Sequence, residues 1–86
     1  MPYTYPLTPS HRERDELIDT WLRASTWRDL REFWYGGLYH CEARIYPEMN
    51  NAVTIIGTGS GDTPHAARTG AWLKIVAYEA AEARKM

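Results

Sequence analysis

A short apolar run, a glycine-rich run and a long alanine-rich segment follow one another between residues 52 and 83, and no other part of the chain restricts the fold as strongly. The apolar run contains β-branched residues and predicts a strand over residues 52–57. The glycines of residues 57–61 then indicate a turn. Thr63 followed by Pro64 is typical of a helix start, with threonine as the cap and proline in the first turn. The rest of the chain must therefore pack against a strand–turn–helix unit.

The predicted C-terminal helix carries small residues along one face. At about 100° per residue, that face is formed by Ala66, Gly70, Leu73, Ala77, Ala80 and Ala81. We expect it to lie on the sheet, because small side chains let a helix approach closely. Trp72 and Ile75 fall on the far side, with Tyr78 between the two faces. Either an N-terminal helix covers that second side, or it is exposed for a partner.

A first helix is predicted over about residues 10–24. Its start is either Ser10, with Glu13 completing a capping box, or Thr8 followed by Pro9. An apolar stripe at helical spacing follows, formed by Leu17, Ile18, Trp21 and Leu22.

A second short helix, or a bent continuation of the first, is predicted next. Thr26 with Asp29 three residues later is typical of a cap. Trp27, Leu30, Phe33 and Trp34 then recur at helical spacing. We expect Gly36 and Gly37 to end this helix, because glycine adopts the left-handed conformation that many helix ends need.

Residues 38–46 alternate between apolar and polar positions, which predicts a half-buried strand. It pairs antiparallel with strand 52–57 across a loop at residues 47–51. Residues 3–7 form either a short edge strand or an ordered coil. The predicted fold is α+β: two N-terminal helices, an antiparallel hairpin that residues 3–7 widen in one alternative, and a C-terminal helix packed on the sheet.

The length and the net charge of the chain limit the classes of protein to which it can belong. The 86 residues predict a single domain over residues 1–86, and the formal charge of −1 gives no strong attraction for nucleic acid or anionic membrane. The sequence has one cysteine, no apolar run long enough to span a membrane, and no signal-peptide pattern in residues 1–5. We therefore expect a soluble protein of cytoplasmic type.

The sequence disfavours three kinds of chemical site. The glycine run lacks the third glycine of a dinucleotide site and the lysine of a P-loop, and Asp62 would repel an anion. The possible metal ligands His11, His40, His65 and Cys41 show no paired spacing. A Cys41–His65–Asp62 nucleophilic set requires a reactive thiol, whereas Cys41 lies on the apolar side of its strand. We expect no cofactor and no enzymatic activity, with a cysteine-dependent enzyme as a remote alternative.

The surplus of aromatic residues favours a binding protein, because tryptophan, tyrosine and arginine are common at interface hot spots. The candidate partner-binding residues are Trp27, Trp34, Trp72, Ile75, Tyr78, Arg28 and Arg31. The expected partner is another protein, and a homodimer is compatible with the pattern. The alternative is nucleic-acid binding through Arg12, Arg23, Arg28, Arg31, Arg68 and Lys74, although acidic residues interleave with these cations and predict a solvated face.

The C-terminal half resembles that of double-stranded-RNA-binding domains. The likeness lies in Gly57-x-Gly59 ahead of a helix that contains Ala66, Ala67, Ala80 and Ala81. That resemblance implies RNA binding through a cationic helix start, where this chain has Arg68 alone.

Residues 39–81 also look like small phage-encoded αβα sandwich proteins. The likeness lies in a hairpin followed by the segments Thr63–Ala67 and Ala77–Ala81. That resemblance implies a phage-derived accessory protein, such as an anti-CRISPR inhibitor, that acts by binding and blocking a host protein.

Overall fold

The computed structural model describes residues 9–46 and 52–84. In chain order the elements are α1 (His11–Arg23), β1 (Arg28–Tyr35), β2 (Leu38–Ile45), β3 (Thr54–Gly61) and α2 (Pro64–Arg84). The fold is α+β, as predicted, but one helix precedes the sheet instead of two. The predictions for residues 3–7 and for the loop at 47–51 lie outside the described residues.

Helix α1 begins where the capping signal predicts. The Ser10 Oγ accepts a hydrogen bond of 3.1 Å from the backbone N–H of Glu13, which satisfies one amide that a helix start leaves unpaired. The buried side chains are Arg14, Ile18 and Trp21, whose spacing of four and three places them on one stripe. Arg14 is the member of that stripe that the apolar pattern did not include.

The predicted second helix is wrong, because Arg28–Tyr35 forms strand β1. All eight of its residues pair with β2, from Arg28 opposite Ile45 to Tyr35 opposite Leu38. Gly36 and Gly37 have φ angles of 65° and 81°, so they join the strands as a two-residue turn. The left-handed conformation expected of these glycines is present, but it closes a hairpin instead of ending a helix.

The sheet has the order β1-β2-β3, and both pairings are antiparallel. Strand β2 matches the predicted strand, and its alternation places Cys41 and Ala43 in the core. Both helices pack on this face of the sheet, and Leu30 of β1 contributes its side chain to the same face. As far as the described residues go, no helix covers the opposite face, which carries residues such as Arg31, Phe33 and Glu42.

Strand β3 continues through the glycine run, so the predicted turn at residues 57–61 is wrong. These glycines face α2, which lies too close to leave room for a side chain on the strand. A Cβ on Gly59 would come 2.5 Å from the backbone nitrogen of Ala71, and one on Gly61 would come 2.5 Å from the Cβ of Ala66. Glycine in a strand commonly marks such a close approach.

Helix α2 starts at the predicted cap, since the Thr63 Oγ1 accepts a 3.1 Å hydrogen bond from the N–H of Ala66. The predicted sheet-facing side is only partly right. Gly70 does lie against β3, but Leu73 and Ala77 are exposed. The buried residues nearest the sheet are Ala67 and Ala71, so the helix is rotated relative to the predicted face.

Trp72 and Ile75 are fully buried, at 0% exposure, so the prediction that they are open to a partner is wrong. They form the main core with Ile18 and Trp21 of α1 and with Ala43 of β2. Of the two alternatives for the second side of α2, coverage by the N-terminal helix is therefore confirmed. Neither helix in the described ranges combines the length and the apolar character needed to cross a membrane.

Candidate protein-binding surface

The two exposed tryptophans lie at opposite ends of β1. Trp27 precedes the strand, and its carbonyl accepts a 2.7 Å hydrogen bond from the N–H of Tyr46. Trp34 lies next to the hairpin turn. Seven residues of extended chain separate them by about 23 Å. They do not form the single Trp27–Trp34 patch that the sequence predicted.

Four large apolar side chains surround the β1–β2 turn, and we name this group the aromatic tip. It consists of Trp34, Tyr35, Leu38 and Tyr39. Trp34 is 59% exposed and Tyr35 is 74% exposed. Trp34 and Tyr39 are paired across the strands and pack edge to face, with ring centroids 4.7 Å apart and an interplanar angle of 72°. Of this group, the sequence predicted only Trp34 as a partner-binding residue, because Leu38 and Tyr39 reach this end of β1 only through the hairpin.

Contacts on the face of the hairpin opposite the Trp34–Tyr39 pair hold the turn in place. The His40 Nε2 donates a 2.9 Å hydrogen bond to the backbone carbonyl of Tyr35, across the turn. The His40 ring also stacks on Phe33 at 5.0 Å between centroids. The Arg31 guanidinium lies 4.5 Å from the centre of the same Phe33 ring. The turn is therefore braced by a cross-strand bond and a stack.

A groove of about 240 Å³ runs beside the aromatic tip, between the hairpin and the first turns of α2. It is lined by Glu32, Phe33, Trp34, Tyr39, His40, Pro64, Ala67 and Arg68. The two charges in its wall are paired: the Arg68 Nη2 donates to the Glu32 Oε2 at 3.2 Å. This pairing raises the pKa of Arg68, and Asp15 adds a second carboxylate 3.6 Å away. The groove thus presents apolar surface beside a neutralised cation.

Arg28, a predicted partner-binding residue, is held within the molecule. It donates a 2.8 Å hydrogen bond to the carbonyl of Trp21 and lies 4.8 Å from the centre of that indole. Glu79 of α2 accepts a 2.8 Å hydrogen bond from the Trp21 Nε1 and lies 3.5 Å from Arg28. These contacts join β1, α1 and α2. Tyr78, another candidate, is half-buried on α2.

An unpredicted polar cluster lies at the far end of the sheet from the tip. The Arg44 Nε and Nη2 donate to the two carboxylate oxygens of Asp29 at 2.7 and 2.9 Å, and the Tyr46 hydroxyl donates to Asp29 at 2.7 Å. The bond from Arg44 holds the pKa of Asp29 below its ordinary value, and the bond to Asp29 raises the pKa of Tyr46. The direct pairing of Asp29 with Arg44 in the ladder explains this contact.

The surface cations of α1 form local pairs, as their interleaving with acids predicts. Arg12 pairs with Glu16 at 3.2 Å and Arg23 with Asp19 at 2.9 Å, each four residues apart. Arg31 lies 3.8 Å from Glu42 of the neighbouring strand. The five arginines proposed for nucleic-acid binding therefore each lie beside a carboxylate.

Cys41 has the properties of a core residue. It is fully buried on the central strand β2, where it packs against Ala67 and Ala71 of α2, and desolvation raises the pKa of its thiol to about 11. A thiol in this state is protonated at neutral pH, which disfavours a nucleophilic role. Among the described residues, no group of three histidine, cysteine or carboxylate side chains is placed to hold a metal ion.

Comparison of the chain with protein-family models, with curated proteins and with solved structures finds no match.

Proposed function

We propose that the chain is a non-enzymatic binding module that contacts another protein through the aromatic tip. The observation that carries this proposal is the exposure of Trp34 and Tyr35 on a turn that is itself held by a cross-strand hydrogen bond. Large aromatic side chains on a preorganised support are typical of interface hot spots, because little conformational entropy is lost when they bind.

The groove beside the tip supports the same proposal. It has room for an apolar side chain of a partner, and its wall charges already neutralise each other. A partner that covers the tip and the groove would bury apolar surface without leaving an unpaired charge. The phage-protein resemblance implies one form of this function, an inhibitor of a host defence protein such as an anti-CRISPR.

The experiment is a capture from cells of the source with tagged protein, followed by affinity measurement with the purified partner. The test variants are Trp34→Ala and Tyr35→Ala, and the matched control is Trp27→Ala, an exposed tryptophan at the opposite end of β1. Loss of a hot spot of at least about 2 kcal/mol weakens binding about 30-fold. We expect that loss for the tip variants and near-normal binding for Trp27→Ala.

The proposal is overturned if a Trp34→Ala/Tyr35→Ala double variant that stays folded binds as tightly as the unaltered chain. It is also overturned if Trp27→Ala weakens binding as much as the tip variants do, because the contact would then not be specific to the tip.

The second candidate is RNA binding of the double-stranded-RNA-binding type. One observation favours it: the order helix, three antiparallel strands, helix, with both helices on one face, is similar to that of the family that the C-terminal half resembles. Against it, Arg68 at the start of α2 is paired with Glu32 and Asp15. Phosphate contacts by such a residue would require those pairs to break.

A binding titration with duplex RNA at two salt concentrations separates the candidates. RNA binding through phosphates requires affinity that falls steeply as salt rises. Protein binding through the tip predicts weak or undetectable RNA affinity, and no effect of Trp34→Ala on what remains.

A further inference from the structure

Arg14 is a buried guanidinium whose hydrogen-bonding capacity is fully used. It is 1% exposed and makes five hydrogen bonds, one for each N–H group. Two of them go to the Asp15 Oδ1, from Nε at 3.1 Å and from Nη2 at 2.6 Å. Nη1 donates to the carbonyl of His65 at 3.0 Å and to the Thr69 Oγ1 at 3.1 Å. Two of these bonds stay within α1, and the other three reach His65 and Thr69 of α2, so those three depend on α1 lying against α2.

The fifth bond fixes the protonation state of His65. The Arg14 Nη2 lies 3.0 Å from the His65 Nδ1. Arginine can only donate, and it stays charged at any pH that a protein tolerates. The His65 Nδ1 must therefore accept, which requires a neutral imidazole with its proton on Nε2.

His65 is exposed to solvent on one side, and positively charged groups of both helices lie beside its imidazole. On α1, Arg14 donates to it and the His11 ring stacks on it, with centroids 4.0 Å apart. On α2, His65 is the second residue of the helix, where the helix dipole also disfavours a cation, and Arg68 lies one turn further on. The opposing charges are Asp15 of α1 and Glu32 of β1, and both already pair with Arg68.

We propose that Arg14 and His65 form an acid-sensitive clasp that holds the first turns of α1 against the first turns of α2 and opens when His65 is protonated. Protonation at Nδ1 removes the acceptor of the fifth bond and places a second positive charge 3.0 Å from a buried guanidinium. Arg14 then has one unsatisfied buried donor, and the cluster has a net positive charge.

The direction of the titration agrees with this geometry. Desolvation, followed by the charges of His11, Arg14 and Arg68, lowers the pKa of His65 below its ordinary value of 6.5. A base with a lowered pKa in the folded state takes up protons more readily when unfolded. The contribution of the clasp to stability is therefore complete above pH 6.5 and is lost as the pH falls below that value.

The decisive variant is His65→Asn, because the asparagine Oδ1 can occupy the place of Nδ1 and accept from Arg14 without titrating. We measure chemical unfolding between pH 7.5 and pH 5.0, a range that lies above the ordinary carboxylate pKa values. One proton can change the folding equilibrium constant by at most about tenfold per pH unit. We expect the unaltered chain to lose stability toward pH 5.0 and His65→Asn to lose clearly less.

The other two histidines provide controls. His11→Gln keeps the clasp and removes the stacked neighbour, so we expect the acid-dependent step to remain and to move to higher pH. His40→Gln alters the hairpin and leaves the clasp intact, so its acid-dependent step should match that of the unaltered chain. If His65→Asn shows the same acid-dependent loss as the unaltered chain, the proposal is wrong.

A second measurement keeps the test decisive if His65→Asn does not fold. Nitrogen NMR of the unaltered chain should show the His65 Nδ1 unprotonated at pH 7.5. Amide signals of the first turn of α1 should shift with the same midpoint as the His65 ring. A protonated Nδ1 at pH 7.5, or α1 amides that do not follow the ring, overturns the clasp.

Discussion

Gly59 of β3 and Gly70 of α2 are in direct contact, so that a Cβ added to Gly70 would lie 2.9 Å from the Gly59 Cα. This contact sets the distance between the C-terminal helix and the sheet. It also explains why both residues lack a side chain, since neither the strand nor the helix backbone can give way easily.

Gly59→Ala should destabilise the fold, because its methyl group would enter the backbone of α2 near Ala71. Overpacking of this kind costs about 1–3 kcal/mol. The adjacent exposed position provides the control, Ser60→Ala, which should change stability by less than about 0.5 kcal/mol. Urea unfolding compares the two, and equal midpoints would contradict the close contact.

The hairpin turn should tolerate asparagine but not valine at Gly36. A Cβ at this position meets nothing within 4 Å, so only its φ of 65° restricts the choice of residue. Gly36→Val should cost at least about 1–2 kcal/mol, whereas Gly36→Asn should cost much less, because asparagine is favoured at this place in two-residue turns. Thermal unfolding decides. A valine variant as stable as the asparagine variant would show that the turn does not have this conformation.

Substitution of a buried tryptophan should lower the free energy of unfolding much more than substitution of an exposed one. Trp72→Ala removes a fully buried ring from the main core and should cost about 3–5 kcal/mol. Trp34→Ala removes an exposed ring that touches Tyr39 and should cost less than about 1 kcal/mol. Guanidinium unfolding of both variants is the measurement. A Trp34→Ala variant as unstable as Trp72→Ala would rule out its use as a binding probe.

The Asp29–Arg44 pair should make the free energy of unfolding depend on pH in the acidic range. Its hydrogen bond from Arg44 lowers the pKa of Asp29 in the folded state, so this contribution is present above the ordinary value of 3.8 and is lost as the pH falls through the lower folded value. Asp29→Asn should therefore be less stable than the unaltered chain at pH 6, with a difference that narrows below pH 3.8. Asp19→Asn, in an exposed pair with Arg23, is the control and should show little difference at either pH.

The Cys41 thiol should not react while the chain is folded. With a pKa of about 11 and no exposure, it offers almost no thiolate at pH 8. A disulfide reagent should label it at the rate of unfolding, and urea should increase that rate. An exposed thiol introduced as Ser60→Cys should react rapidly in the same buffer. Equal rates for the two thiols in the folded state would contradict the burial.

The sequence predicted the elements whose signals are local. Ser10 and Thr63 cap their helices as expected, and alternation along β2 placed Cys41 in the core. Strand β1 could not be predicted in the same way, because Leu30, Phe33 and Trp34 fit a helical spacing as well as a strand. Its pairing with β2 decides the conformation, and that pairing is not local.

The candidate site was predicted only in part for a related reason. The residue type of Trp34 marks it as a candidate, but Leu38 and Tyr39 come to this end of β1 only when Gly36 and Gly37 close the hairpin. The prediction that Trp72 is exposed fails because α2 has two buried faces, one against the sheet and one against α1. The periodicity of apolar residues shows which faces of a helix are apolar, but which of these faces is buried depends on the elements that pack against it.

The turn between β1 and β2 has only two residues, so the backbone that carries the Trp34, Tyr35 and Tyr39 rings is paired right up to the turn. The pairing of β1 with β2 sets the orientation of these rings, so under the proposed function the partner surface would have to match their shape. An inserted residue at Gly37 that shifted the β1–β2 register by one position would move the Tyr39 ring to the face of the sheet opposite the Trp34 indole.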